Sequence, residues 1–148
     1  YSPDTLAVTG AMVDGVFAWS AGPKSLADFI VPTINQAADS AGRRPPRVIA
    51  ALPVCVTDNP QAARERGAHL FETFNLLARY RKLFERDGVD SLIDNAIIGS
   101  ADEVVNRVLS LAEIGVSDFA AVEFPGDPDE AAATRDALKL TFPSRGHR

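Results

Sequence analysis

The stretch at residues 13–30, VDGVFAWSAGPKSLADFI, restricts the possible fold more than any other part of the chain. Asp14-Gly15 reads as the end of a helix, with the glycine supplying a left-handed turn. Val16, Phe17, Ala18 and Trp19 form a short continuous apolar run, as a strand covered on both faces requires. Ser20-Ala21-Gly22-Pro23 is a loop, and a second helix follows. Helix, strand, helix in that order is one step of an α/β fold with parallel strands. Such folds place their ligands at the carboxyl ends of the strands, which is where residues 20–23 fall. Residues 1–6 already look like a helix opening with no strand before them. Ser2 or Asp4 can cap a helix that begins at Pro3. The chain begins with Tyr1 rather than Met, and is expected to enter the fold partway.

The same alternation continues. Residues 25–41 carry Leu26, Phe29, Ile30, Ile34, Ala37 and Ala38 at helical spacing, closed by Gly42, with Pro32 expected to bend or split the first turns. Residues 47–57, RVIAALPVCVT, form a second buried strand, in which Pro53 argues for a bulge or an early end of pairing. Asp58-Asn59-Pro60 starts a long helical pattern running to about residue 86, with Leu70, Phe71, Phe74, Leu77, Ala78, Arg81 and Phe84 as its stripe. Its length exceeds a tight α/β connection, so residues 67–95 read as a helical insertion or lid. Gly88 stops it. Ser100 with Glu103 forms a capping box before the next helix. Residues 118–124, DFAAVEF, are a third buried strand, followed by a loop and a last helix at about residues 129–140, and the tail at residues 143–148 is expected to fray.

Three apolar strands with helices around them form one domain over residues 1–148, whose edge strands lack cover. That argues for a part of a larger sheet or barrel. Composition excludes other classes. A net charge of −5 and two small basic groups, Arg43-Arg44 with Arg47 and Arg79 with Arg81 and Lys82, read as solvated surface and give no nucleic-acid face. No apolar run reaches membrane-spanning length and no secretory signal is present, so a cytoplasmic protein is expected. The single cysteine, Cys55, reads as a small buried hydrophobe. His69 and His147 have no partner at ligand spacing, so no metal site is expected.

Several runs carry a family likeness: SPDTLAVTGAMVDGVFAWSAGPKSLADFIVPTI at residues 2–34, LPVCVTDNPQAARERGA at residues 52–68, and AIIGSADEVVNRVLSLAEIGVSDF at residues 96–119. In order and spacing the chain resembles the carboxyl-terminal part of the bacterial luciferase-like monooxygenase superfamily. The resemblance implies an α/β fold that is the C-terminal portion of a (β/α)8 TIM barrel, about strands six to eight with their helices. It implies a flavin- or deazaflavin-dependent oxidoreductase or monooxygenase. The expected cofactor is the deazaflavin coenzyme of the F420 type, with FMN as the alternative. The partner would be the amino-terminal half of the same barrel, or a second copy, and a small molecule the substrate. The isolated part would then be inactive.

The resemblance places cofactor contacts at Ser2, Pro3, Trp19, Ser20, Ala21, Gly22 and Pro23. A helix amino end at Ser2-Pro3 suits a phosphate, although Ser stands where the family usually has Gly and Asp4 adds a like charge. Small residues at 20–23 permit close approach, and a tryptophan at position 22 is expected to block the cofactor while leaving the fold intact. Glu123 ends a strand, a catalytic position in barrels, but alone identifies no catalytic residue. The alternative from another class is a non-enzymatic half-barrel module that associates with a partner chain and binds no cofactor.

Overall fold

The computed structural model describes residues 1–141. The tail expected to fray and His147 lie outside the described residues. The sheet is organised on β2 (Arg47–Val56), and every strand pairing in it is parallel. β1 (Gly15–Trp19) pairs with its first half, from Gly15↔Arg47 to Trp19↔Ala51. β4 (Asp118–Glu123) pairs along it from Ile49↔Asp118 to Val54↔Glu123. A fourth strand that the sequence did not disclose, β3 (Ile97–Gly99), pairs with its last residues from Val54↔Ile97 to Val56↔Gly99.

The register fixes the layout. Val54 has partners in both β3 and β4, and Ala50 in both β1 and β4. A strand has only two edges, so β1 and β3 share one edge of β2 and β4 lies along the other. The hydrogen bonds agree. Arg47 N donates to Asp14 O, Ala51 O accepts from Ser20 N, and Thr57 N donates to Gly99 O, so odd positions of β2 address the β1/β3 edge. Val48 O accepts from Ser117 N on the β4 side.

This explains Pro53. The expected bulge is absent, and β2 pairs with β4 straight through Pro53↔Val122, while the expected early end of pairing occurs on the β1 edge, at Ala51. The missing N–H points at the other edge, in the gap between the last β1 pair at Ala51 and the first β3 pair at Val54. A proline is tolerated in a central strand when no ladder bond is asked of it.

Side-chain alternation gives the sheet two faces. Val48, Ala50, Leu52, Val54 and Val56 join Leu6, Leu26, Ile30, Ile34, Val104 and Leu111 in the main core against the helices. Burying each Leu or Ile there stabilises by about 1.5–3 kcal/mol. The opposite face is open at its amino-terminal end, where Phe17 is 56% exposed. Among the described residues β4 pairs with no strand but β2, and on the outer edge of β1 the carbonyls of Phe17 and Trp19 accept only from the Tyr1 hydroxyl.

The helices follow their caps. α1 (Pro3–Met12) is capped by Ser2 Oγ, which accepts from Thr5 N at 3.1 Å. It ends at an extended Val13, and Gly15 is the first residue of β1 rather than a left-handed turn as expected. α2 (Pro23–Ser25), a π-turn (Leu26–Ile30) and α3 (Val31–Ser40) run as one helix. Val31 N bonds to Leu26 O, and this widened turn takes up Pro32, which therefore neither breaks nor splits the helix. The long helix expected from residue 60 is three: α4 (Pro60–Leu70), α5 (Glu72–Leu76) and α6 (Ala78–Asp87). It breaks at Phe71 and Leu77 because straight continuation would carry Phe71 and Phe74 away from the end of the sheet. α7 (Ala101–Glu113) has the expected Ser100–Glu103 box, and α8 (Pro128–Lys139) is capped by Asp127. The basic pair at Arg43 and Arg47 is not merely solvated. Arg43 donates to Gly10 O, Val13 O and Asp14, and Arg47 pairs with Asp118.

α1 crosses α3 at Gly10, where an added Cβ would lie 2.3 Å from Ile34 O and 2.7 Å from Ala37 Cβ. Helix propensity alone favours Gly10→Ala. The contact predicts instead a loss of about 1–3 kcal/mol, read as a lower midpoint in urea unfolding.

Candidate functional site

All strands run the same way, so the turns after β1, β2 and β4 open on one side of the sheet. The chain between residues 71 and 95 covers that side. Trp19, at the last position of β1, meets Phe74 edge-on at 5.4 Å and Phe71 at 6.3 Å. Phe71 continues to Phe124 at 5.7 Å, and Phe74 to Tyr80 at 5.7 Å. This aromatic layer roofs the carboxyl end of the sheet.

The turn after β1 is held by residues far away in sequence. One more step of the β1–β2 ladder would bring the N–H of residue 53 to Ser20 O, and proline has none. Asn95 Nδ2 donates there instead, at 3.4 Å, and also to Asp87 Oδ2 at 3.1 Å. The Asp87 carboxylate, at the end of α6, accepts from Gly22 N at 2.9 Å and Ser25 N at 2.7 Å. It is the cap that Gly22 cannot provide, and it supplies the negative charge that a helix start favours. Ser25 Oγ donates to Leu83 O at 3.3 Å, fastening the same helix a second time.

The expected contact residues therefore divide. Ser20, Ala21 and Gly22 are buried behind this latch, and Pro23 is exposed. A Cβ on Gly22 would fall 2.4 Å from Asn95 Oδ1, so a tryptophan at 22 breaks the latch and cannot leave the fold intact as expected. Ser20 has φ 66°, a left-handed backbone that is unusual for serine. Its Oγ is fully buried with no hydrogen-bond partner among the described residues. Trp19 is half-buried in the aromatic layer. Ser2 and Pro3 border a separate cavity of about 530 Å³ between the start of α1 and α6.

A second polar cluster joins the turns after β2 and β4. Glu130 accepts from the Thr57 hydroxyl, from Gly126 N at 2.6 Å and from Arg66 Nη2 at 2.8 Å. Arg66 Nε donates to Phe124 O at 3.0 Å. Burial raises the Glu130 carboxyl, but the Thr57, Gly126 and Arg66 donors outweigh it and hold it below its ordinary range. Burial foremost, and then Glu130, pushes the Cys55 thiol up to about 11. Glu123 accepts from Arg135 Nε at 2.9 Å, so this carboxylate is engaged. His69 is exposed, and among the described residues no group of His, Cys, Asp or Glu is arranged to hold a metal. No described helix is long and apolar enough to cross a membrane. Asp87, Asn95, Arg66 and Glu130 escaped the sequence reading.

The family model described as luciferase-like monooxygenase matches residues 1–118. The chain belongs to the luciferase-like monooxygenase family. Solved enzymes share its α/β fold of parallel strands and helices. An F420-dependent secondary alcohol dehydrogenase, solved with an F420–acetone adduct, superposes with a TM-score of 0.75 at 15% identity, over 95% of this chain and 47% of its own. The coenzyme F420 dependent tetrahydromethanopterin reductase from Methanopyrus kandleri gives 0.71 at 22%, over 90% and 46%. The oxygenating constituent of 3,6-diketocamphane monooxygenase from Pseudomonas putida, solved with FMN, gives 0.62 at 19%, over 90% and 43%. The chain thus spans less than half the length of each. No curated protein sequence matches this luciferase-like chain.

Two outcomes follow from the Glu130 cluster. Because its folded pKa is lowered, Glu130 stabilises the fold above the ordinary glutamate range, and that contribution disappears as pH falls through the folded value. Glu130→Gln should cost about 2 kcal/mol at pH 7, and the gap from the parent should close on acidification below about pH 4, in denaturation curves taken across pH. Cys55, fully buried with its thiol raised, should stay unlabelled by a maleimide at pH 7.5 in the native protein and label once unfolded.

Proposed function

We propose that this chain is the carboxyl-terminal part of a (β/α)8 barrel, with β1, β2 and β4 as strands six, seven and eight, in a flavin- or deazaflavin-dependent oxidoreductase or monooxygenase. The observation that carries the reading is the family match over residues 1–118, on a chain whose strand ends all open beneath one aromatic roof. The coverage of less than half of each solved enzyme, the open amino-terminal part of the inner sheet face and a β4 that pairs with no strand but β2 among the described residues support a partner. That partner is the remainder of the barrel, or a second copy. By itself the fragment is inactive, and the intact enzyme works in the cytoplasm on a small molecule.

The cofactor is a deazaflavin of the F420 type, with FMN as the alternative; both kinds occur among the solved relatives. The residues present fit a flat, partly polar ring. Trp19 offers an aromatic wall. The buried Ser20 hydroxyl, without a partner and on a left-handed backbone, is the kind of polar group kept at a strand end for a ligand. When bound, the cofactor supplies the hydride transfer or oxygen activation. The chain's own part is to orient it and exclude water. Ser2 and Pro3 border the separate cavity at the start of α1, Trp19 and Ser20 contact the cofactor, and Ala21, Gly22 and Pro23 fix the turn that holds those two in place.

The test is titration of the full-length protein with F420 and with FMN, followed by absorbance and fluorescence. One of them should bind, and Trp19→Ala should weaken that binding roughly tenfold. If neither binds while the protein melts cooperatively, the non-enzymatic module is the correct reading.

A further inference from the structure

We infer that the cleft between the start of α1 and α6 is a binding site for a phosphoryl group, made chiefly by Arg79, Lys82 and Arg86. The inference rests on the cofactor reading above only for the source of that group. The cavity holds about 530 Å³, within the range of small-ligand sites, and is bordered by Ser2, Pro3 and Phe29 on one side and these three cations on the other. No carboxylate lines it. That is unusual in a chain of net charge −5 with 20 acidic and 15 basic residues.

The cations are placed, yet they are not neutralised. Arg79, Lys82 and Arg86 are three and four residues apart, so they project from one side of α6, flanking the buried Leu83. Among the described residues none of the three makes an ion pair or a hydrogen bond. What positions them is aromatic. The Arg86 guanidinium lies 3.6 Å from the centre of the Phe29 ring, and that of Arg79 lies 5.2 Å from the Tyr80 ring. A ring face orients a guanidinium without using its N–H donors. Two forks and an ammonium therefore keep their donors for a ligand, at the cost of like-charge repulsion along the helix that an anion would relieve.

The start of α1 does not carry the inference, since its own Ser2 Oγ already caps Thr5 N. It adds only a wall with the favourable end of a helix dipole. Asp4, in the first turn, is exposed and does not line the cleft. A multiply charged oxyanion matches three convergent cations better than a carboxylate does. The phosphoryl group belongs either to the cofactor or to a phosphorylated substrate.

The test uses the full-length protein, with inorganic phosphate, F420, FMN and riboflavin as probes and calorimetry as the readout. Lys82→Gln with Arg79→Gln should weaken phosphate binding at least about tenfold and weaken FMN more than riboflavin, which has the same ring without the phosphate. Arg44→Gln, a loss of surface charge away from the cleft, should change neither. The melting temperature of the unliganded double variant should hold or rise, because repulsion is removed; a merely structural role would lower it. Phosphate competing with whichever of F420 and FMN binds assigns the cleft to the cofactor, and phosphate binding undisturbed by that cofactor assigns it to a substrate. Parent protein that ignores millimolar phosphate, or a double variant that binds it as the parent does, overturns the inference. If neither F420 nor FMN binds but phosphate still does and still depends on Lys82 and Arg79, the cleft stands and the cofactor reading falls.

Discussion

A proline in the central strand sets the terms for the whole carboxyl end of this sheet. Pro53 can stand in β2 only where no partner asks for its N–H, and that forces the edge to be shared. β1 must stop at Ala51 and β3 must begin at Val54. The Ser20 carbonyl, left without a donor from β2, is served by Asn95. Asn95 in turn sits two residues before the short strand that completes the edge. One missing hydrogen thus ties the loop after β1 to a segment 75 residues later in the chain.

The segment at residues 71–95 is structural for the same reason. α6 ends in Asp87, whose carboxylate takes both free amides at the start of the helix that follows Gly22. Without it two buried donors would be left unsatisfied, at about 1–3 kcal/mol each. The breaks at Phe71 and Leu77 then have a purpose, since they turn Phe71 and Phe74 onto Trp19 while delivering Asp87 to Gly22. Glu130 plays the corresponding part between the turns after β2 and β4, with Arg66 as its cation.

What was legible in the sequence is what is local. Ser2, Asn59 and the Ser100–Glu103 box mark helix starts because a cap acts within three residues. Three strands were legible because their apolar runs are continuous. β3 was not, because Ile97–Gly99 is three residues between a 3₁₀ turn and a capping box, too short to show any period. The helix breaks were invisible because the apolar stripe continues through them, and only tertiary contact with Trp19 bends the chain. Asp87, Asn95, Arg66 and Glu130 act on partners 58 to 75 residues away, a distance at which a single sequence gives no register. Of the residues expected at the site, Ser20, Ala21 and Gly22 form the turn after β1 and are buried, with the Gly22 amide given to the latch rather than to open space.

The same bonds decide how the covered face can open. Moving α6 as a unit would strip Asp87 from Gly22 and Ser25, break Ser25 Oγ from Leu83 O, and separate Asn95 from Asp87. Those groups are buried or nearly so, and water does not replace their partners cheaply. α5 is different. It is five residues long with none of them buried, Leu76 is 75% exposed, and a non-helical residue stands at each end. Its ties are the ring contacts of Phe74 and the acceptance of Leu92 N by Asn75 Oδ1. Local opening follows the weakest set of contacts. The roof is therefore hinged on α6 and loosest over Trp19, which places the give in the structure at the aromatic wall while the basic side of α6 stays fixed to the fold.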